Sequence, residues 1–399
     1  MKKILFFISI ILTLLLDSNL AAVFGLSENR LTASILFLFL FLLYELLTDN
    51  IKCRQLNRPE IMLIIMGFVI IIAIAYIQRI ILLKLCISFL FIPYTLSIYL
   101  SSKKRQYESI LRLIIYIILC LEIVMVIYER ATQSVLLASE DQYSYINTYG
   151  DSWSFRASGL YGHPLTSAMI LSVANIFILC SDLNIKVKAF FFCSILIGLL
   201  CLNERGNILI TLVCSLPFIF NSLNKQVGIN KIIGYFIIFL ICCYAYQSLS
   251  KSDFGGRLFH YEMSFSDGSS QQRLEAFKAL SYMDKDVLLW GLGDNQVKDI
   301  KDLTYVENGF ICILLQYGLV LGIPLILLLM FFLYMKLKVF RWQHAFLIAL
   351  VFIGIGLTNP QLSNPLQWIF WIVAYYAFCP STKNTIISNF LMFPKRKNL

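Results

Sequence analysis

The chain has 399 residues, 59% of them hydrophobic and only 14% charged, with a mean hydropathy of +0.77. Soluble globular domains run near ~45–50% apolar and ~25% charged, so this composition excludes a soluble enzyme, a disordered chain and a nucleic-acid-binding domain. The formal charge of +10 has a plain source in a polytopic membrane protein, because Lys and Arg collect in cytoplasmic loops.

Taken in chain order, apolar runs fall at 4–26, 31–48, 60–78, 80–100, 108–128, 164–180, 189–202, 207–222, 232–249, 309–335, 343–358 and 366–379. Each is near the ~20 residues needed to cross a bilayer as a helix, the shortest being 189–202 and 207–222. They predict an all-α, multi-pass protein of about 12 transmembrane helices. Met1-Lys2-Lys3 and the apolar stretch after it resemble a signal peptide. No convincing cleavage site follows, so the stretch reads as an uncleaved first helix. Charge sets the orientation. With the N-terminus cytoplasmic, the inner loops hold twenty basic residues, and the outer side, apart from 250–308, holds six: Arg30, Arg79, Lys84, Arg130, Arg156 and Arg205. That asymmetry places both termini in the cytoplasm.

Four regions follow: 1–149, the N-terminal helices and the start of the first external loop; 150–249, central helices with arginine motifs; 250–308, a large external loop; and 309–399, the C-terminal helices and a cytoplasmic tail. The loop carries ten of the 23 acidic residues and seven basic ones. Within it, 269–280 reads as a short amphipathic helix, with a serine at the N-cap position and Leu274, Phe277 and Leu280 at helical spacing. The eleven cysteines lie mostly in apolar runs and show no C-x-x-C spacing, so they read as small core residues. Three histidines, at 163, 260 and 344, make no case for a His-based metal site, and no cofactor is implied.

Polar residues of the outer side cluster. Arg156-Ala157-Ser158-Gly159-Leu160-Tyr161-Gly162-His163-Pro164 leads into the sixth run, and Asn203-Glu204-Arg205-Gly206-Asn207 is a turn of about five residues. Arg257 and Arg273 lie in the large loop, and Val306-Glu307-Asn308-Gly309 closes it. The topology brings all of them to one membrane surface. Converging arginines suit a polyanion at headgroup level, since guanidinium groups bind phosphate oxygens bidentately and stay charged. A carboxylate among them suits a general base. Each residue also has a plainer reading. An arginine at a helix end can snorkel to headgroups, His163 before Pro164 can start a helix, and Glu307 can flank one. Asp17, Glu45, Lys84 and Glu122 lie within or near spans, where pairing or snorkelling explains them as well as function does.

In this order the clusters resemble the O-antigen polymerase and ligase superfamily of bacterial envelope proteins, the Wzy and WaaL type. The segment 156–164 is similar to that family's R-x-x-G-x-x-x-H-P motif, and Glu204-Arg205-Gly206 to its short turn. Arg273 followed by Trp290-Gly291-Leu292-Gly293 resembles its arginine and G-x-G segment, and Glu307-Asn308 its E-N or H-N pair. The similarity covers roughly 150–330. It implies a metal-independent, inverting, GT-C-like glycosyltransferase of the bacterial cytoplasmic (inner) membrane, with its site on the periplasmic or outer face. Donor and acceptor would be undecaprenyl-diphosphate-linked oligosaccharides, the product O-antigen or capsular polysaccharide. Further partners would be membrane lipids, a chain-length regulator and a flippase. Glu307, Arg205 and Arg273 would be catalytic, and Arg156, His163, Arg257 and Asn308 would bind substrate. Ligases of the family typically carry histidine where this chain has Glu307, which favours a polymerase over transfer of glycan to lipid A-core. A lipid-linked-oligosaccharide transporter is the alternative from another class. Transporters place polar groups near the midplane between inverted repeats, a pattern this chain lacks.

Overall fold

A computed structural model describes residues 2–15, 33–48, 58–76, 90–137, 152, 154–224, 240, 243–244, 247–251, 277–278, 280, 283–292, 308–358 and 365–379. Among these the regular structure is all helical: α1 (Lys2–Leu15), α2 (Ala33–Leu47), α3 (Arg58–Tyr76), α4 (Ile92–Thr132), a 3₁₀ turn (Gly159–Tyr161), α5 (Pro164–Cys180), α6 (Ile185–Cys201), α7 (Arg205–Asn224), α8 (Lys285–Trp290), α9 (Gly309–Leu337), α10 (Trp342–Thr358) and α11 (Pro365–Phe378). Most coincide with the apolar runs. The run 232–249 lies largely outside the described residues, as do Arg257, Arg273 and Glu307.

The described end of the run 80–100 and the run 108–128 form one helix rather than two, Ile92–Thr132. The Ser101-Ser102-Lys103-Lys104-Arg105 stretch between them contains no Gly or Pro, and Lys and Arg are good helix formers, so nothing local stops α4 there. It ends at Thr132, where Gln133 takes a left-handed conformation (φ 53°) and its N–H returns to the Glu129 carbonyl.

Helices apolar on all sides bury all sides, and α5 and α11 do so at the centre of the bundle. Every residue of α5 is buried, as are Trp368, Trp371, Tyr375 and Tyr376 of α11. Around them α4, α7, α9 and α10 turn apolar side chains outward as well, including Leu113, Val124, Leu209, Leu327 and Phe346. Among the described residues, two helical stretches, 106–132 and 309–337, are long and apolar enough to cross a membrane.

The second is interrupted. Gly318 sits inside α9 with φ +71°, and the chain turns so sharply that a β-carbon on Gly322 would lie 3.3 Å from the Cα of Leu314. The half-helix 309–317 thus folds back beside the start of 319–337. Into the break fits the segment after α8. Gly291, also left-handed (φ +77°), meets Gly318 backbone to backbone, and the Leu292 N–H donates to the Leu315 carbonyl at 2.8 Å. Leu280, Met283 and Leu292 cover Ile311, Cys312 and Leu315 in a small separate cluster.

The two ends of the bundle differ. At one, Lys2 lies 3.4 Å from Glu45, Lys3 over the Tyr107 ring, and Arg112 donates to the Ala377 carbonyl at 2.6 Å. Lys188 donates to the Leu179 carbonyl at 2.9 Å, and Lys336 lies near the Tyr376 hydroxyl at 3.4 Å. The other end gathers the C-termini of α4, α6 and α10 and the N-termini of α5, α7 and α9.

A β-carbon at Gly318 would meet both left-handed strain, about 1–2 kcal/mol, and a backbone collision, about 1–3 kcal/mol as overpacking. Gly318→Ala should therefore melt well below wild type in detergent. Gly67→Ala, where a β-carbon meets only ordinary contacts at 3.5 Å or more, should melt at or slightly above it, because alanine favours a helix by roughly 0.5–1 kcal/mol.

Candidate functional site

The second end is assembled around the segment that leads into α5. His163 is the N-cap of that helix: its Nδ1 accepts the Leu165 N–H at 3.2 Å, and Pro164 takes the first helical position, where no N–H is needed. Burial, and after it the positive charge of Arg156, push the His163 imidazole down to about 4. At neutral pH the ring is therefore uncharged, with Nδ1 free to accept.

Arg156 itself reaches across to Glu204, with Nη2 against Oε1, both side chains largely buried. Glu204 immediately precedes α7, its carbonyl accepting the Ile208 N–H at 3.1 Å. Arg205 is the first residue of that helix and half-exposed. It stands at a helix start, where backbone N–H groups and the helix dipole favour an anion. Asn203 makes the turn possible by adopting a left-handed conformation (φ 55°), which asparagine tolerates better than most residues.

Two small residues carry the site toward α9. Gly206 packs on Thr358 at the end of α10, a β-carbon there lying 3.6 Å from the threonine methyl. Two residues earlier, Gly356 makes room for the Phe310 ring. Phe310 follows Asn308, the buried N-cap of α9, whose Oδ1 accepts the N–H groups of Phe310 and Ile311 at 3.1 Å each. The structure thus brings Arg156, His163, Arg205 and Asn308 to one end of the bundle. Glu307, next in sequence to Asn308, and Arg257 and Arg273 lie outside the described residues.

Below Arg205, a polar seam runs between α5 and α7. Thr211 donates to Ser172 at 3.1 Å, Ser172 to Asn207 at 3.4 Å, and Asn175 to Ser215 at 3.1 Å, all five residues fully buried. Such bonds tie apolar helices together at roughly 0.6 kcal/mol each.

Sequence reasoning passed over Glu129 of α4 and gave its neighbours Glu122 and Arg130 no part in the site. Glu129 is fully buried, and its carboxylate accepts the N–H groups of Ser158 at 2.7 Å, Gly159 at 2.9 Å and Leu136 at 2.9 Å. Glu122, equally buried and two turns earlier on the same face, accepts the Leu160 N–H at 2.9 Å. Arg130 donates to the Phe155 carbonyl, which also accepts from Asn203 at 3.3 Å. The available signal was the seven-residue spacing of two glutamates at the end of an apolar run.

No protein-family model matches the chain, and no curated protein matches it in sequence. The chemistry on offer is therefore read from the arrangement itself. A guanidinium held by a carboxylate, a second arginine at a helix start and an asparagine-capped helix share one end of an apolar bundle. Such a group of donors suits an anionic ligand that arrives from the membrane surface.

An ordinary histidine titrates near 6.5, so unfolding lets His163 bind a proton that the folded state binds only near pH 4. The unfolded state then holds more protons between those values, and stability falls as pH drops from about 6.5 toward 4. His163→Asn keeps a capping side chain and should flatten this part of the melting-temperature profile. An unchanged slope would place its origin elsewhere.

Proposed function

We propose that the protein polymerises lipid-linked oligosaccharide repeat units into O-antigen or capsular polysaccharide. Transfer would occur at the outer face of the bacterial cytoplasmic membrane, without metal or nucleotide sugar. The observation that carries the reading is the meeting of Arg156, Glu204, Arg205 and Asn308 at one end of the bundle, opposite the end that holds Lys2, Lys3, Arg112, Lys188 and Lys336. These residues are far apart in sequence, and the resemblance to the polymerase and ligase superfamily rests on the same clusters. The outward-facing apolar side chains of α4, α7, α9 and α10 suit a lipid surround. We assign a multi-pass arrangement with both termini in the cytoplasm and the arginine end outside.

In this mechanism the acceptor sugar hydroxyl attacks the anomeric carbon of the donor glycan from the face opposite the lipid diphosphate. The new C–O bond forms as the bond to the phosphate oxygen breaks, and the configuration inverts. Glu307 takes the hydroxyl proton. The electron pair of the broken bond leaves on the diphosphate, where Arg205 and Arg273, with Arg156 and Arg257 nearby, offset the developing charge. Preorganised cations at such a position are commonly the largest catalytic contribution. Glu204 fixes the direction of Arg156, and Asn308 fixes the start of α9 beside Glu307.

Glu307→Gln keeps the size of the side chain but removes its basicity, which typically costs ~10²–10⁴-fold in rate. On a gel of envelope polysaccharide it should leave single repeat units attached to the final acceptor. If the protein is instead the ligase, surface-attached repeats vanish and polymer builds up on the lipid carrier. Wild-type chain length in this variant would end the catalytic assignment.

Arg205→Lys and Arg273→Lys should accumulate in the membrane and yet make no long chains, because lysine lacks the forked geometry. Full activity in both would remove the diphosphate-binding role. For the topology, a reporter fused near residue 280 should be external and one near 340 cytoplasmic; the reverse result would put the arginines on the wrong side of the membrane.

A further inference from the structure

Glu122, Glu129 and Arg130 have no part in the reaction just described, yet they are the most costly residues in α4 to bury. All three are at most 3% exposed in a helix that is otherwise strongly apolar through this stretch. An ionisable group taken out of water needs partners in compensation, and in a membrane helix its presence asks for a reason. Their partners are nearly all backbone atoms of a single segment. Glu129 takes the N–H groups of Ser158 and Gly159 and faces the Ser158 hydroxyl at 3.3 Å, and Glu122 takes the next N–H, of Leu160. Three consecutive amides are therefore directed onto two carboxylates.

On the other side of Arg156, Arg130 and Asn203 both hold the Phe155 carbonyl. Between them, the Ala157 N–H donates to the Cys201 carbonyl at 3.3 Å. Ser167 closes the arrangement from α5, donating to the Ser158 carbonyl at 2.6 Å. Gly159 is obligatory here: it is left-handed (φ +68°), and a β-carbon would collide with the Glu122 carboxylate and stand 2.9 Å from the Ser167 hydroxyl.

We propose that Glu122, Glu129 and Arg130 are positioning residues that clasp the backbone of 155–160 and so fix where the Arg156 guanidinium stands. The role given to Arg156 rests on the reading above, in which it faces an anionic substrate; the clasp does not. Phe155, Ala157, Ser158, Gly159 and Leu160 are each tied down, so the remaining freedom belongs to the Arg156 side chain. Glu204 then selects its direction. A helix end could be capped without charge, by water or by a lone glycine. Two carboxylates spent on one short stretch of backbone make sense when the residue they bracket must not move, because a misplacement of about 1 Å can cost about 10²-fold in rate.

The test uses the full chain purified in detergent, with Cys201 as the sensor. Its thiol is fully buried beside the clasped segment, and Cys201→Ser sets the background. Glu129→Gln places an amide NH₂ among N–H groups, and Gly159→Ala pushes the segment off Glu122 without altering α4. Both should let a bulky maleimide modify Cys201 at least about ten-fold faster than in wild type. A Cys201 that stays protected in both variants would overturn the clasp, whatever the protein catalyses.

The link to Arg156 is read separately, from polymer output. If Glu129 acts through Arg156, Glu129→Gln combined with Arg156→Lys should lose no more than Arg156→Lys alone, whereas independent effects would multiply. Multiplying losses would overturn the positioning role. Wild-type chains in Arg156→Lys, together with a reactive Cys201 in the two clasp variants, would refute the substrate role of Arg156 and leave the clasp standing.

Discussion

A carboxylate buried among apolar helices has few ways to recover the hydration it gives up, and backbone amides are among the best of them. Hydrogen bonds to a charged acceptor are worth ~1.5–3 kcal/mol each, about twice those between neutral groups. Glu129 collects three backbone amides, and the Glu122 carboxyl group accepts a fourth. The dependence is mutual. The N–H groups of Ser158, Gly159 and Leu160 go to these side chains rather than to a helix ladder, so without α4 they would need water in a largely dry setting. The start of α5, the place of Arg156 and the contact with the end of α6 all follow from that exchange.

The same requirement explains where the polar residues of the bundle sit. Within the helices, hydroxyls fold back onto carbonyls of the preceding turn, as Thr13 does to Ser9 and Ser215 to Thr211, or they meet in the seam between α5 and α7. At helix starts, Asn184, His163 and Asn308 supply the capping acceptor. Among the described residues, Lys2 and Arg156 meet carboxylates near the ends of the bundle, and Arg112, Arg130 and Lys188 donate to carbonyls there. The bundle therefore offers its arginines, rather than any midplane group, to a ligand coming from the aqueous side.

Much of the helical framework was legible in the sequence, because an apolar run near bilayer length has few alternatives. Pro164–Cys180 coincides with its run, and α10 and α11 depart from theirs by a residue. The convergence of 156, 205 and 308 followed from counting spans. The continuity of α4 through Ser101–Arg105 was not legible, because positive charge marks a loop and a helix end equally well. Nor was the break at Gly318. A glycine in an apolar run is common, and only the approach of Gly291 from a distant segment shows why this one must be left-handed. Glu129 escaped notice for a similar reason. Its partners are amides, which every residue but proline carries, so no pattern of side chains announces them.

The Gly291–Gly318 contact has a mechanical side. The two backbones touch with no side chain between them, and the Leu292–Leu315 hydrogen bond and the cluster around Cys312 secure the same segment to the half-helix 309–317. Such a joint has almost no slack, since backbone atoms cannot change rotamer to absorb a displacement. Residues 283–292 and the half-helix 309–317 are thus geared together. The place of 283–292 therefore helps to set that of the half-helix whose first turn Asn308 caps.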